Sequence, residues 1–412
     1  MQTIREAAPL SPVYTPDIPS GLPPIHVPDV PINGYAAFIR PAADEAARRL
    51  GDACAEAVTA NRFADFERSP AWCARNSADD PDQMVHVSTF LILDGMVYMT
   101  YYANTSTADE DHTKQEARLA FCPVDAPEDM TIVRLQKVGD TLDGRTITHL
   151  YDTILLYKGG DELYLMWTAA PDDNYYRLYR TFNIRTHTLG PIRANRFRVS
   201  GITNDFSITG MQNALAAHRI GFKSMWNDIG IMQKLSTRVE DGQTWYYTGA
   251  YSGNFNCIIK STDFVTWEYV STPDFPNNSL WENAVYVLGD RCWYFVRQQE
   301  CGQGFLTCYD LEKRTWAQPV LIADAQSRSD FFVYEGELYL VHAPIDRRGF
   351  GIVRIDREDP RRSRPVLVAD MKDSLFYPFV RVYGDEAWIS YTVDRKHIRL
   401  SRFDLKRFLC GI

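Results

Sequence analysis

From Gln83 onward, apolar and polar positions alternate in short runs, and the runs come in pairs joined by a tight polar turn. In order they are "VSTFLILDGMVYMTYY", "YDTILLYKGGDELYLMW", "QKLSTRVEDGQTWYYTG", "ENAVYVLGDRCWYFV", "SDFFVYEGELYLVHA" and "YPFVRVYGDEAWISY". A period of two around a two- or three-residue turn containing Gly is the pattern of a β-hairpin. The turn glycines Gly95, Gly160, Gly242, Gly289, Gly336 and Gly384 are separated by 65, 82, 47, 47 and 48 residues. Self-similarity at that spacing, with four strands per unit, predicts an all-β chain folded as a β-propeller. "NCIIKSTDFVTWEYV", "FLTCYDLEKRTWAQPVLIA" and "GFGIVRIDREDPRRSRPVLVAD" supply outer strand pairs, and the two longer gaps imply insertions, the second through "NRFRVSGITNDFSITGMQNALAAHRIGFKSMWND". The expectation is six blades, or five if the first or last hairpin completes a shared blade.

Ahead of the repeats the texture differs. Residues 8–33 are rich in proline and predict an extended arm, and "PAADEAARRLGDACAEAVTANRFADF" predicts one or two helices between about residues 41 and 66. This divides the chain into an arm and helical segment at 1–80, packed on a propeller at 81–412; the arm also suggests a homodimer built by exchange. Among the 412 residues are 23 Tyr, 21 Phe and 9 Trp, which suit strands and surfaces that stack on sugars. A net charge of −9 without a basic run argues against a nucleic-acid partner, and no stretch approaches a membrane span. The first residues carry no secretory pattern, so a cytoplasmic protein is expected. Cys54, Cys73, Cys122, Cys257, Cys292, Cys301, Cys308 and Cys410 form no CxxC pair and read as reduced thiols. Metal-ligand spacings, phosphate loops and GxSxG are absent from the sequence, so no cofactor and no metal is expected.

In a propeller the first strands of all blades line the channel and start at one mouth. The residues at those starts are His86 and Ser88; Asp152; Asp228; Trp281, Glu282 and Asn283; Arg328 and Asp330; and Tyr377. Glycosyl transfer needs convergent carboxylates, one to protonate the leaving oxygen and another to activate water or attack the anomeric carbon. Glu282, Asp228 and Asp152 fit those roles as acid/base, base, nucleophile or pKa tuner. Arg328 and Arg297 are suited to clamp a substrate carboxylate, with Asp330, Asn283 and His86 beside them. Trp281 and Trp226 would stack on a sugar ring.

The order Glu282, Arg297 fifteen residues later, Arg328 opening the next blade and Tyr377 opening the last resembles the sialidase-like superfamily. That resemblance implies a Glu that activates a Tyr nucleophile and an arginine triad that grips a sugar carboxylate. The first hairpin lacks the Arg-Ile-Pro element of that family, and "STDFVTW" (Ser261 to Trp267) is one residue short of its Asp-box. The shorter form resembles the five-bladed arabinanase, xylosidase and fructosidase group, whose two Asp and one Glu Asp152, Asp228 and Glu282 would match. "TADEDHTKQEAR" reads as a solvated loop; the sialidase-like resemblance puts the acid/base there, at Asp109 or Asp111.

The function expected is a glycoside hydrolase that cleaves a terminal sugar, acidic in the sialidase-like case, from an oligosaccharide. Two alternatives stand beside it. A propeller polysaccharide lyase would use Tyr377 with His86 or His149, and Arg328 on a uronate. A non-catalytic propeller would bind glycan or protein on its rim.

Overall fold

In the computed structural model, residues 37–65, 82–171, 174–217, 229–252, 255–273, 280–298 and 303–409 are described. At three of the repeated hairpin turns both central residues take positive φ: Asp94 at 48° with Gly95 at 75°, Asp241 at 49° with Gly242 at 78°, and Glu335 at 48° with Gly336 at 76°. Two left-handed residues in a two-residue loop twist with the strands they join, which is why Asp-Gly and its relatives recur there.

These hairpins seed six antiparallel sheets among the described residues. Blade 1 is Met84–Leu93, Met96–Asn104, Glu116–Pro123 and Thr131–Lys137. Blade 2 is Arg145–Tyr157, Glu162–Pro171 and Tyr176–Asn183, with short outer strands at Thr188–Leu189 and Arg193–Ala194. Blade 3 has a broken inner strand, Gly230–Ile231 and Ser236–Glu240, followed by Gln243–Ser252, Phe255–Ser261 and Thr266–Ser271. Blade 4 is Leu280–Leu288, Arg291–Gln298, Gln303–Asp310 and Val320–Ala323; blade 5 is Gln326–Tyr334, Glu337–Ala343, Phe350–Arg354 and Arg364–Ala369. Blade 6 is Phe376–Tyr383, Glu386–Val393 and His397–Asp404, and its fourth strand is Arg62–Asp65, antiparallel to His397–Asp404.

The last blade is thus the shared one, closed by the N-terminal part of the chain, and the count is six. That closure corrects the boundary expected at residue 81: residues 62–65 belong to the propeller, and Ala37–Ile39 adds a parallel strand to blade 4. Between them lies the expected helix, Glu45–Ala60, capped by Asp44, whose side chain accepts from the Ala47 amide at 2.9 Å. Gly51 lets this helix approach blade 5 so closely that a Cβ there would lie 1.7 Å from the Val368 carbonyl oxygen. The proline-rich arm, and with it the dimer it suggested, falls outside the described residues. The second insertion adds a hairpin, Arg196–Val199 and Ile202–Asp205, to the outer edge of blade 3, then a helix, Ile208–Ala217.

The turns between third and fourth strands share one device. The side-chain oxygens of Asn183, Asp263, Asp310 and Asp356 each accept from backbone amides two and three residues on. Such Asx turns supply locally what the ladder cannot. In "STDFVTW" Ser261 Oγ also accepts from the Asp263 and Phe264 amides, and Phe264 stacks at 6.0 Å on the buried Trp267. Phe264 has φ 64°; the left-handed conformation costs about 1–2 kcal/mol, and burying the ring stabilises by about 1.5–3 kcal/mol, so the turn holds. The described cysteines Cys54, Cys122, Cys257, Cys292 and Cys308 are buried and free. No described helix is long and apolar enough to cross a membrane.

Candidate active site

The innermost strands are regular except at one end, where five of them slip register against their neighbours. The slips fall between His86 and Thr89, Tyr151 and Ile154, Leu280 and Asn283, Gln326 and Asp330, and Phe376 and Phe379. Four contain a left-handed residue: Val87 at φ 53°, Asp152 at 54°, Ser327 at 74° and Tyr377 at 54°. A bulge places extra residues opposite the partner strand and re-aims a side chain. Non-glycine residues held this way cost about 1–3 kcal/mol each, strain that clusters at functional sites. Here the bulges turn Asp152, Glu282, Arg328 and Tyr377 into one cavity of about 220 Å³.

Glu282 lies at its floor. Its Oε2 is 2.8 Å from Arg297 Nε and its Oε1 is 3.4 Å from Arg328 Nη2. Burial alone would raise its carboxyl, but Arg297, Arg328 and the neighbouring Tyr377 hydroxyl outweigh burial and hold it below its ordinary value. The Tyr377 hydroxyl moves the opposite way, pushed up by burial and by the Glu282 charge. A phenol so raised keeps its proton until a base takes it, and Glu282 is the ionised base in contact. Arg328 sits 5.0 Å over the Tyr377 ring, with Arg297 and Arg347 each at 6.0 Å.

Asp152 is fully engaged. Arg328 Nη2 is 2.6 Å from its Oδ1, and Arg177 Nη1 is 3.0 Å from its Oδ2 and donates at 2.8 Å to its carbonyl oxygen. Of the roles expected for Asp152, this geometry fits that of charge partner and pKa tuner, because each oxygen already meets a guanidinium group. Asp228 and Trp226 lie outside the described residues, as does the Trp281 side chain.

Three further expected residues are placed behind the cavity rather than on it. Asn283 donates to the Ala250 carbonyl at 3.0 Å and to Asn256 Oδ1 at 2.7 Å, fastening blade 4 to blade 3. Asp330 is buried one step deeper in the channel, 3.0 Å from Lys234 Nζ and accepting from the Val380 amide at 2.8 Å. His86 is fully buried, bonded to Thr392 Oγ1 at 3.1 Å, with its ring stacked 4.7 Å from that of Tyr377. It is the wall against which the tyrosine stands.

The cavity also holds two groups that reading the strand starts did not reach, and a third stands beside it. Glu110 comes from the connection between the second and third strands of blade 1 and Arg395 from that of blade 6, both on the cavity lining, while Arg347, from that of blade 5, stands behind the Tyr377 ring. The acidic "ADED" loop does deliver a carboxylate, but it is Glu110, between the expected Asp109 and Asp111. Glu110 accepts from the Tyr102 hydroxyl and pairs with Arg395 Nη2 at 3.0 Å, with His112 Nε2 at 3.8 Å. Asp109 is exposed, and Asp111 caps its own turn through Thr113. Arg347 donates to Ser327 Oγ at 2.6 Å and lies 4.9 Å over the Phe376 ring. The signal available in the sequence was topological: each second strand ends at the rim where the first begins, so the loop after it belongs to the same mouth.

The balance of charge is uneven. Arg177, Arg297, Arg328, Arg347 and Arg395 face Glu110, Asp152 and Glu282, five guanidinium groups against three carboxylates among the described residues. Buried charge without a counterion is costly, so such a site favours an anionic guest. Among the described residues no group of His, Cys, Asp and Glu is placed to hold a metal ion.

No family model matches the chain, and no curated protein matches it in sequence. Its shape is similar to solved structures. One is the Trypanosoma rangeli sialidase in complex with sialic acid, at TM-score 0.51 and 12% identity over 78% of this chain and 54% of that one. The chain spans about half the length of that relative. The NanB sialidase from Streptococcus pneumoniae gives 0.51 and 11%, covering 80% and 70%. The intramolecular trans-sialidase from Ruminococcus gnavus, in complex with oseltamivir carboxylate, gives 0.52 and 11%, covering 86% and 99%. What is shared at such identities is the fold. The chain is built on the six-bladed β-propeller of the sialidases.

Proposed function

We propose that this protein is a glycoside hydrolase that removes a terminal, carboxylate-bearing sugar from an oligosaccharide. The observation that carries the reading is the Tyr377–Glu282 pair beneath an excess of guanidinium groups. Tyr377 attacks the anomeric carbon as its proton passes to Glu282, and Glu110, on the opposite side of the cavity, serves the leaving oxygen as acid and then water as base. Arg297 and Arg347, over the tyrosine ring, supply donors for the sugar's carboxylate, while Arg328 is already spent on Asp152 and Glu282. Carboxylate-bearing ligands also accompany two of the similar structures, sialic acid in one and oseltamivir carboxylate in the other.

The lyase alternative loses support because His86 is sealed behind Tyr377, and His149 is bonded to Thr148 at 3.0 Å away from the cavity lining. The test is a digest of sialylated and uronate-capped oligosaccharides read by mass spectrometry, with wild type beside Glu282→Gln. Products that gain one water, lost in the variant, support the hydrolase. Unsaturated products would turn the case to the lyase, and an untouched panel would leave a binding propeller.

A further inference from the structure

Paired as it is with Arg395, Glu110 is in the wrong state to act as an acid. It is an ionised carboxylate, held by Arg395 at 3.0 Å and by the Tyr102 hydroxyl. The groups that face it are Tyr102 and His86 from blade 1, His112 from its own loop, Tyr377 and Arg395 from blade 6, and Tyr151 of blade 2, which stacks under His112 at 4.3 Å. Of these, His86 is kept neutral by burial, and burial likewise raises the Tyr102 and Tyr377 hydroxyls, which carry their protons. Arg395 is therefore the one permanent cation among them.

Arg395 is built to leave without moving the chain. It sits with Asp394 in the three-residue turn 394–396, the two left-handed at φ 54° and 49°, and its carbonyl oxygen accepts from the Val85 amide at 2.8 Å. The backbone is pinned to blade 1, yet the side chain is 42% exposed and lies 5.5 Å over the Phe376 ring, beside Arg347 at 4.9 Å over the same ring. Its Nε is buried and meets no acceptor among the described residues. A donor left unmet at the rim of an anion-poor cavity is ready for an acceptor brought by a ligand.

We propose that Arg395 is shared in turn by Glu110 and by the acid group of the substrate, and that its move to the substrate makes Glu110 take up the proton it then delivers to the leaving oxygen. This rests on the acidic-sugar reading above. Burial pulls the Glu110 carboxyl up, and its neighbours, His86, His112, Arg395 and Tyr102, together hold it well below the usual range. Losing Arg395 to another anion leaves burial with less opposition. The proton comes from solvent as the substrate binds. Glu110 gives it to the glycosidic oxygen as the C–O bond breaks and Tyr377 bonds to the anomeric carbon, the phenolic proton passing to Glu282. Water then attacks that carbon and loses a proton to Glu110, the bond to Tyr377 breaks, and the phenolate recovers its proton from Glu282. When the product leaves, Arg395 returns and Glu110 releases its proton.

The experiment is titration calorimetry at pH 7 in phosphate and in Tris, whose ionisation enthalpies differ, with sialic acid and then glucuronic acid as probes. Wild type should take up about one proton per bound sugar, while Glu110→Gln should bind the same sugar with no uptake. Arg395→Gln should also lose the uptake, because its Glu110 no longer has a cation to give up. Binding without proton uptake in wild type, or uptake that persists in Glu110→Gln, overturns the shared-cation proposal and leaves the hydrolase reading standing. Failure of both sugars to bind wild type overturns both.

Discussion

Arg328 and Asp330 are two residues apart on the same inner strand, and they belong to two buried charge systems with opposite logic. Asp330 meets Lys234 at 3.0 Å and the Val380 amide at 2.8 Å, an ion pair closed on itself deep in the channel. Arg328 reaches Asp152 and Glu282 within a cluster in which cations outnumber anions and one side opens to a cavity. A closed pair has no use for a ligand, and its charges serve cohesion between blades 3, 5 and 6. An open cluster with surplus guanidinium groups is electrostatically unfinished. The bulge between Gln326 and Asp330 separates the two, turning Arg328 toward the mouth while Asp330 stays on the regular ladder.

This contrast can be broken from either end. The largest expected effect is at the mouth: Glu282→Gln should lower kcat by about 10²–10⁴-fold, with Tyr377→Phe at least as severe. Far-ultraviolet circular dichroism and the denaturation midpoint should stay near wild type for Tyr377→Phe. A loss of fold in that variant would make the tyrosine a structural residue.

At the closed pair the expectation reverses. Lys234→Met strands a buried Asp330 and should cost about 3–5 kcal/mol in urea unfolding, with turnover per folded molecule unchanged; adding Asp330→Leu should recover most of the loss. A double variant no better than the single one would mean that the channel needs charge there.

The next effect is a pH dependence of stability. Burial lowers His86 to about 3 and His342 to about 4, against 6.5 when unfolded. A depressed folded value means that the stability is present above pH 6.5 and is lost as pH falls, since the unfolded chain takes up protons the folded one refuses. Each histidine should therefore cost about 2 kcal/mol between pH 7 and 5. Asp330 runs the other way: burial raises it to about 6 despite Lys234, so its contribution grows as pH drops below 6. Unfolding curves at pH 7 and 5 should show a net loss, smaller in His86→Gln; an unchanged difference in that variant would remove His86 from the account.

The smallest effect separates neighbours in one loop. Asp109→Asn should change kcat less than twofold and stability by within about 0.5 kcal/mol, whereas Glu110→Gln should lose turnover on substrates with poor leaving groups. Equal effects at both positions would undo the assignment of Glu110.

How legible the site was depends on what kind of residue carries it. Glu282, Arg297, Arg328 and Tyr377 were readable because the hairpin repeat aligns the starts of the inner strands. Glu110, Arg347 and Arg395 were not, because they sit in connections of unequal length where no periodicity marks the position. Asn283 and Asp330 also began first strands, but alternation along a strand sends neighbours to different faces, and the bulges shift that alternation locally. The spacing gave no sign that four of these strands would each hold a left-handed residue at its start.

The hairpin pattern, its Gly-containing turns and the Asx turns at the blade edges are local, set by φ preferences and by side chains that reach only two or three residues, so the amino-acid order alone determined them. The number of blades, the closing strand taken from residues 62–65 and the surplus of positive charge at the mouth were decided by contacts between segments hundreds of residues apart. Those depend on ring closure and on which carboxylate each guanidinium meets once water is gone, and no local rule carries that information.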